Sequence, residues 1–142
     1  MSKGNTFEND LLLLIFNATA IADIADNDAT SPLTNIQYGL HTADPTETGD
    51  QTSNEAAYSP YARVAVARTG GGHTVTANSV SPAANITFPT CVTGSETETH
   101  FHAGTASSST GKILYKGTVT PNIIVSTAVT PVLTTASTIT ED

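Results

Sequence analysis

Residues 97–105 read Thr97-Glu98-Thr99-His100-Phe101-His102-Ala103-Gly104-Thr105, and beyond a serine-rich turn the chain resumes as Lys112-Ile113-Leu114-Tyr115-Lys116-Gly117-Thr118. Both runs are short, rich in threonine and β-formers, and bounded by turn residues, which is how a strand on a half-exposed pleated surface reads. Downstream, residues 122–126 and 130–134 continue the series, with Pro121 and Pro131 as breaks. Upstream lie residues 85–88, closed by Pro89. Residues 61–68 run into Gly70-Gly71-Gly72, and residues 73–78 return, so the triple glycine is expected to close a hairpin. The series begins with Ile36, Tyr38 and Leu40 alternating against Asn35, Gln37 and His41, a half-buried strand. Seven or eight strands at intervals of roughly 8 to 12 residues argue for an antiparallel β-sandwich or jelly roll and not a parallel α/β fold.

Only the N-terminal segment carries a helical period. Phe7, Leu11, Leu14, Ile15 and Ala18 recur on one stripe, and Asn5 followed by Glu8 has the form of a capping box. The helix is expected to begin near Thr6 and to run on towards Ala20, Ile21 and Ile24, before Asx residues and Pro32 end it. The fold expected is therefore mainly β: a single antiparallel β-sandwich or jelly-roll-like domain with an N-terminal helix. Residues 1–30 form the arm and helix, and residues 31–142 the sandwich, as one structural unit. The stripe Phe7, Leu11, Leu14 and Ile15 is the candidate interface.

Charge restricts the partners. Five Lys and Arg against 13 Asp and Glu give a net charge of -8, and the cations are scattered, so a phosphate backbone would be repelled. The longest apolar run, residues 11–16, is well short of the roughly 18 to 20 residues that a bilayer span requires. No secretory leader is evident, so synthesis in a cytoplasm is expected. A lone cysteine, Cys91, cannot form an intrachain disulfide. The acidic connection over residues 44–54 is long enough to be either a functional excursion or a mobile loop.

Catalytic patterns are weak throughout. His100 and His102 alternate on one strand and could grip a metal, but only Glu96 and Glu98 are offered nearby, so the histidines are read as surface or interface groups. Glu96 and Glu98 read as a solvent-facing strand edge. The serines lack a nucleophile elbow, Cys91 reads as a small buried thiol, and Gly70-Gly71-Gly72 lacks the Lys of a phosphate loop. The expectation is a protein that is not an enzyme and uses no cofactor or metal.

Several strings resemble a family of small tailed-bacteriophage virion proteins, often labelled as tail-fibre proteins. They are the opening Met1-Ser2-Lys3-Gly4-Asn5-Thr6-Phe7-Glu8-Asn9-Asp10, Ser31-Pro32-Leu33-Thr34-Asn35, and Leu40-His41-Thr42-Ala43-Asp44-Pro45. Tyr61-Ala62-Arg63-Val64-Ala65-Val66-Ala67-Arg68 and Gly111-Lys112-Ile113-Leu114-Tyr115 extend the likeness nearly end to end, with His73 standing where that pattern favours Trp. The resemblance implies a virion structural protein. Its first expected role is head decoration or cement on the outer surface of the phage head, with the major capsid protein and copies of itself as partners. The alternative is a tail-fibre or baseplate-associated module that binds host surface carbohydrate, for which Tyr58 and Tyr61 form the densest aromatic pair.

Overall fold

The computed structural model describes residues 5–21 and 33–141. The chain is mainly β, as its alternating strings predict, with three antiparallel sheets and one short N-terminal helix. Two compact units share it, and each draws on separate stretches of sequence.

The first unit comprises the N-terminal segment to Asn35, Val66–Asn85 and the chain from Leu133 onward. Helix α1 (Asn5–Asn17) packs on β3 (His73–Thr76) and β4 (Ser79–Pro82), and β4 pairs in turn with β9 (Ile139–Thr140). The helix is shorter than the sequence suggests. Ala18 turns left-handed at φ 53°, and the Thr19 amide donates back to the Leu13 carbonyl, so the chain leaves the helix before Ala20. Arg68 then takes up the carbonyls left over at that end: Nε donates to Ile15 O at 2.5 Å and Nη2 to Leu14 O at 2.7 Å. Its Nη1 donates to Leu33 O at 2.6 Å, so one guanidinium ties the helix terminus to the strand approach. The expected continuation through Ile24, the turn before Pro32 and the capping side chain of Asn5 lie outside the described residues.

The stripe that α1 buries is Glu8, Leu12 and Phe16, rotated from the one the sequence favours. Phe16 meets the ring of His73 edge-on at 4.9 Å between centroids, and both side chains are fully buried. His73 thus fills the aromatic position itself. Gly70-Gly71-Gly72 does not close a hairpin: β3 pairs with β4, and the strand before the glycines, β2 (Val64–Ala67), lies in another sheet. The hairpin falls one turn later, where Ala77 adopts φ 53° between Thr76 and Ser79, a position no glycine marks.

The second unit comprises Ile36–Ala65 and Ile86–Val132. Its main sheet runs β2-β1-β6-β7, with β1 (Asn35–His41), β6 (Glu96–Gly104) and β7 (Ile113–Val125) antiparallel in sequence along the sheet. A short pair, β5 (Ile86–Thr87) and β8 (Val132–Leu133), completes the strands. The two strands expected on either side of Pro121 are one. Glu98 pairs with Ile123 and His100 with Thr118, so residues 119–122 bulge opposite Thr99 and Pro121 sits in the bulge without breaking the strand. Strand β1 is buried on both faces from Ile36 to His41, not on one, because Gln37 and His41 also point into the interior.

Candidate functional site

Three fully buried polar side chains of the second unit, His41, Gln51 and His102, form one continuous network. His41 and His102 stand on adjacent strands, β1 and β6, where Gly39 is the direct partner of His102. A Cβ at Gly39 would lie 2.3 Å from His102 Cε1, so the ring can lie across the strand only because that residue is glycine. His41 Nε2 is 2.6 Å from His102 Nδ1, His102 Nε2 is 2.8 Å from Gln51 Nε2, and His41 Nδ1 is 2.8 Å from Ser53 O. The amide N–H of Gln51 can only donate, which fixes the remaining protons. His102 accepts at Nε2 and donates from Nδ1 to His41 Nε2, and His41 donates from Nδ1 to Ser53. Both imidazoles are neutral in this arrangement. Burial holds both below the ordinary histidine range, and at His102, where the neighbouring His41 and Arg63 add to it, the value falls to about 3.

Gln51 carries the network to the surface. Its Oε1 accepts from the amides of Thr105 and Ala106 at 3.1 and 2.9 Å, and its Nε2 also donates to Ala106 O at 3.1 Å. Gly104 and Gly111 leave no room for a side chain against Gln51, so the ends of the serine loop close directly on the buried amide. Ala106 O accepts a second bond from Arg63 Nη1 at 2.8 Å, and Arg63 Nη2 donates to Ser109 O at 2.9 Å. The Arg63 side chain is 2% exposed and forks onto Glu55, with Nε 2.6 Å from Oε1 and Nη2 2.8 Å from Oε2. Tyr61 OH donates to Glu55 Oε1 and accepts from the Leu40 amide, while its ring stacks parallel to Phe88 and meets Tyr58 edge-on. A cleft of about 230 Å³ opens at this end, lined by Glu55, Tyr61, Ala62, Arg63 and Ser107 to Ser109.

A second buried group lies on β6. Glu98 is fully buried, and among the described residues neither of its carboxyl oxygens makes a hydrogen bond of ordinary geometry. Burial first, and the Glu96 carboxyl beside it second, push it up to about 8. Glu96 Oε1 accepts from the amides of Ala57 and Tyr58 at 2.8 and 2.9 Å. The pair is therefore not the solvent-facing edge that its alternation suggests.

His100 and His102 do not converge. His100 is half-buried with its Nδ1 2.8 Å from Thr99 Oγ1, whereas His102 is fully buried against His41, which removes His102 from any surface role. Among the described residues, no cluster of three or more His, Cys, Asp or Glu could hold a metal ion. Cys91 is a buried thiol donating to Gly94 O, as its loop suggests. Tyr58 and Tyr61 do meet, with centroids 5.4 Å apart. Of the helix stripe, Phe7 is 42% exposed and Leu11, Leu14 and Ile15 are half-buried. Gln51, Glu55 and Arg63 were not legible as a site. The one signal available was Gly39 inside a strand, which marks a close approach without naming what approaches.

No curated protein matches the chain. A family does, and it agrees with the virion resemblance: the family described as podophage GP4 fiber I protein gp80 aligns with residues 3–140. With nearly the whole chain matched, this β protein belongs to the podophage GP4 fiber I protein family and is a phage virion structural protein.

Proposed function

We propose that the protein is a building block of the phage fibre that works by binding neighbouring virion subunits and copies of itself, and not by catalysis. The observation that carries this reading is the match over residues 3–140 to a family named for a fibre protein. The interior supports it: Arg63, Gln51, His41 and His102 are engaged with one another and with backbone, which suits a rigid part better than a reacting centre. Repeated subunits turn modest contacts into firm attachment through multivalency.

Head decoration on the major capsid lattice is the second reading, favoured by the apolar side of α1. Phe7, Leu11, Leu14 and Ile15 could seat on a capsid seam, and binding only the assembled shell would stabilise it by mass action. Quantitative mass spectrometry of purified virions, combined with gold labelling of this chain, separates the two. Label at the tail with a copy number far below that of the major capsid protein supports the fibre. Label over the head with a copy number comparable to that of the capsid protein overturns it in favour of cement.

A further inference from the structure

We propose that the cleft formed by Glu55, Tyr61, Ala62, Arg63 and the Ser107 to Ser109 loop is a binding site for a single neutral sugar ring of a surface glycan. This deepens the fibre reading and rests on it. The cleft is built and not incidental, because its most exposed wall is held by its most buried groups. Ser107, Ser108 and Ser109 are all exposed, yet the backbone beneath them is fixed by a fully buried Gln51 amide and by an Arg63 side chain that is 2% exposed. Ser109, which lines the cleft, is held at φ 59°. A loop needing only to be soluble would not call for a buried arginine; a loop whose shape must be ready for a ligand would, since preorganisation lowers the cost of binding.

The chemistry of the walls selects the ligand. Arg63 is neutralised by its fork onto Glu55, so the cleft offers no net charge to attract a phosphate or a carboxylate. Glu55 Oε2 accepts one bond, from Arg63, and keeps capacity for a donated ligand hydroxyl. The serine hydroxyls can both donate and accept, and the Tyr61 ring, half-buried and locked by Phe88 and Tyr58, supplies an apolar wall that cannot turn away. Hydroxyl partners beside a fixed aromatic are what a pyranose needs, with its polar rim and its C–H faces. At about 230 Å³ the space lies below the roughly 300 to 1,000 Å³ of pockets for drug-sized ligands, so one ring fits and a longer chain must extend outward.

The test uses the full chain with D-glucose, D-galactose and N-acetyl-D-glucosamine at millimolar concentration. Saturation-transfer NMR should show contact with at least one sugar, with amide shifts confined to residues 61–63 and 105–111. Ser108→Trp and Ala62→Trp, both at exposed positions that take no part in the buried network, should fill the cleft and weaken binding about tenfold or more with the fold intact. Absence of transfer to all three sugars, or transfer unchanged in both Trp variants, would overturn the site. Incorporation of Ser108→Trp into virions is read in parallel. Normal incorporation with or without sugar binding leaves the fibre reading standing, so the cleft can fail alone; lost incorporation of the folded variant overturns a sugar role in favour of a subunit contact.

Discussion

His41 Nε2 and His102 Nδ1 lie 2.6 Å apart, so the line between them holds one proton and cannot hold two. With Gln51 donating to one end and Ser53 accepting at the other, the neutral pair satisfies every ring nitrogen. A second proton would set two N–H groups against each other in the interior.

The first prediction follows from the sign of that arrangement. Both histidines titrate below the ordinary value of about 6.5 when folded, so between that value and the folded value the unfolded chain binds more protons. Stability is fully present above about pH 6.5 and declines as the pH falls towards 3. Thermal melts from pH 7.5 to 4 should show this decline. A His102→Gln variant, which cannot take up the extra proton, should show a shallower slope; an equal slope in both proteins would assign the acid sensitivity elsewhere.

The two histidines of the His-Phe-His string should also behave differently from each other. His100→Gln, at a half-buried position whose ring is hydrogen-bonded to the adjacent Thr99 hydroxyl, should change stability by no more than about 0.5 kcal/mol. His102→Gln disrupts a buried network and should cost about 1 to 3 kcal/mol at neutral pH. Urea denaturation of the two variants side by side decides this, and equal losses would contradict the network.

How much of this was legible beforehand depends on what encodes each part. The helix start, β1, β6 and the threonine-rich strands follow from period and composition, which are local. The hairpin at Ala77 and the bulge opposite Thr99 do not, because a positive φ on alanine and a register shift are imposed by tertiary pairing. Nor does composition show that Glu98 and His102 are buried, because what covers their side of β6 is set by the folded sheet and not by the strand itself. The Glu55–Arg63 fork joins residues eight apart, but its third partner, the carbonyl of Ala106, lies 43 residues further on. Only the folded sheet brings that carbonyl and Gln51 together.

Glu98 gives a prediction of the opposite sign. Its folded value is raised to about 8 from an ordinary 4.5, so in that interval the folded chain holds a proton that the unfolded chain has released. Its contribution is fully present below about pH 4.5 and is lost as the pH rises through about 8. Glu98→Gln, neutral at every pH, should melt higher than the parent above pH 8 and flatten the alkaline limb. Amide exchange at Ala57 and Tyr58, which Glu96 holds, should slow in the variant at pH 9; unchanged melting would mean that burial does not raise Glu98, and unchanged exchange that the two carboxyls do not interact.

Arg68 is the most exacting residue of the first unit, because one planar group serves carbonyls of Leu14, Ile15 and Leu33. Arg68→Lys keeps the charge, but its three N–H bonds radiate from one nitrogen and cannot reproduce the planar fork that reaches three separate carbonyls from three nitrogens. It should lose about 1.5 to 3 kcal/mol, the worth of a hydrogen bond to a charged group, and show fraying at the C-terminal turn of α1 in amide exchange. Full stability in the lysine variant would show that charge alone, acting on the helix dipole, suffices.

The last prediction separates the two sides of α1. Leu12 is fully buried and Leu11, beside it, is half-buried towards the side where Phe7 is 42% exposed. Leu12→Ala removes packing from the unit's own core and should cost about 2 to 5 kcal/mol. Leu11→Asp places a charge where the helix is open, so the isolated protein should keep its β signal in circular dichroism and remain soluble. If Leu11, Leu14 and Ile15 seat on a neighbouring virion subunit, the same variant should be missing from purified particles when it is expressed in place of the parent, since each such side chain contributes about 1.5 to 3 kcal/mol on burial. Aggregation or loss of β structure in Leu11→Asp would instead assign this side to the protein's own core. Normal incorporation of the folded variant would move the assembly contact off the helix and onto the sheets.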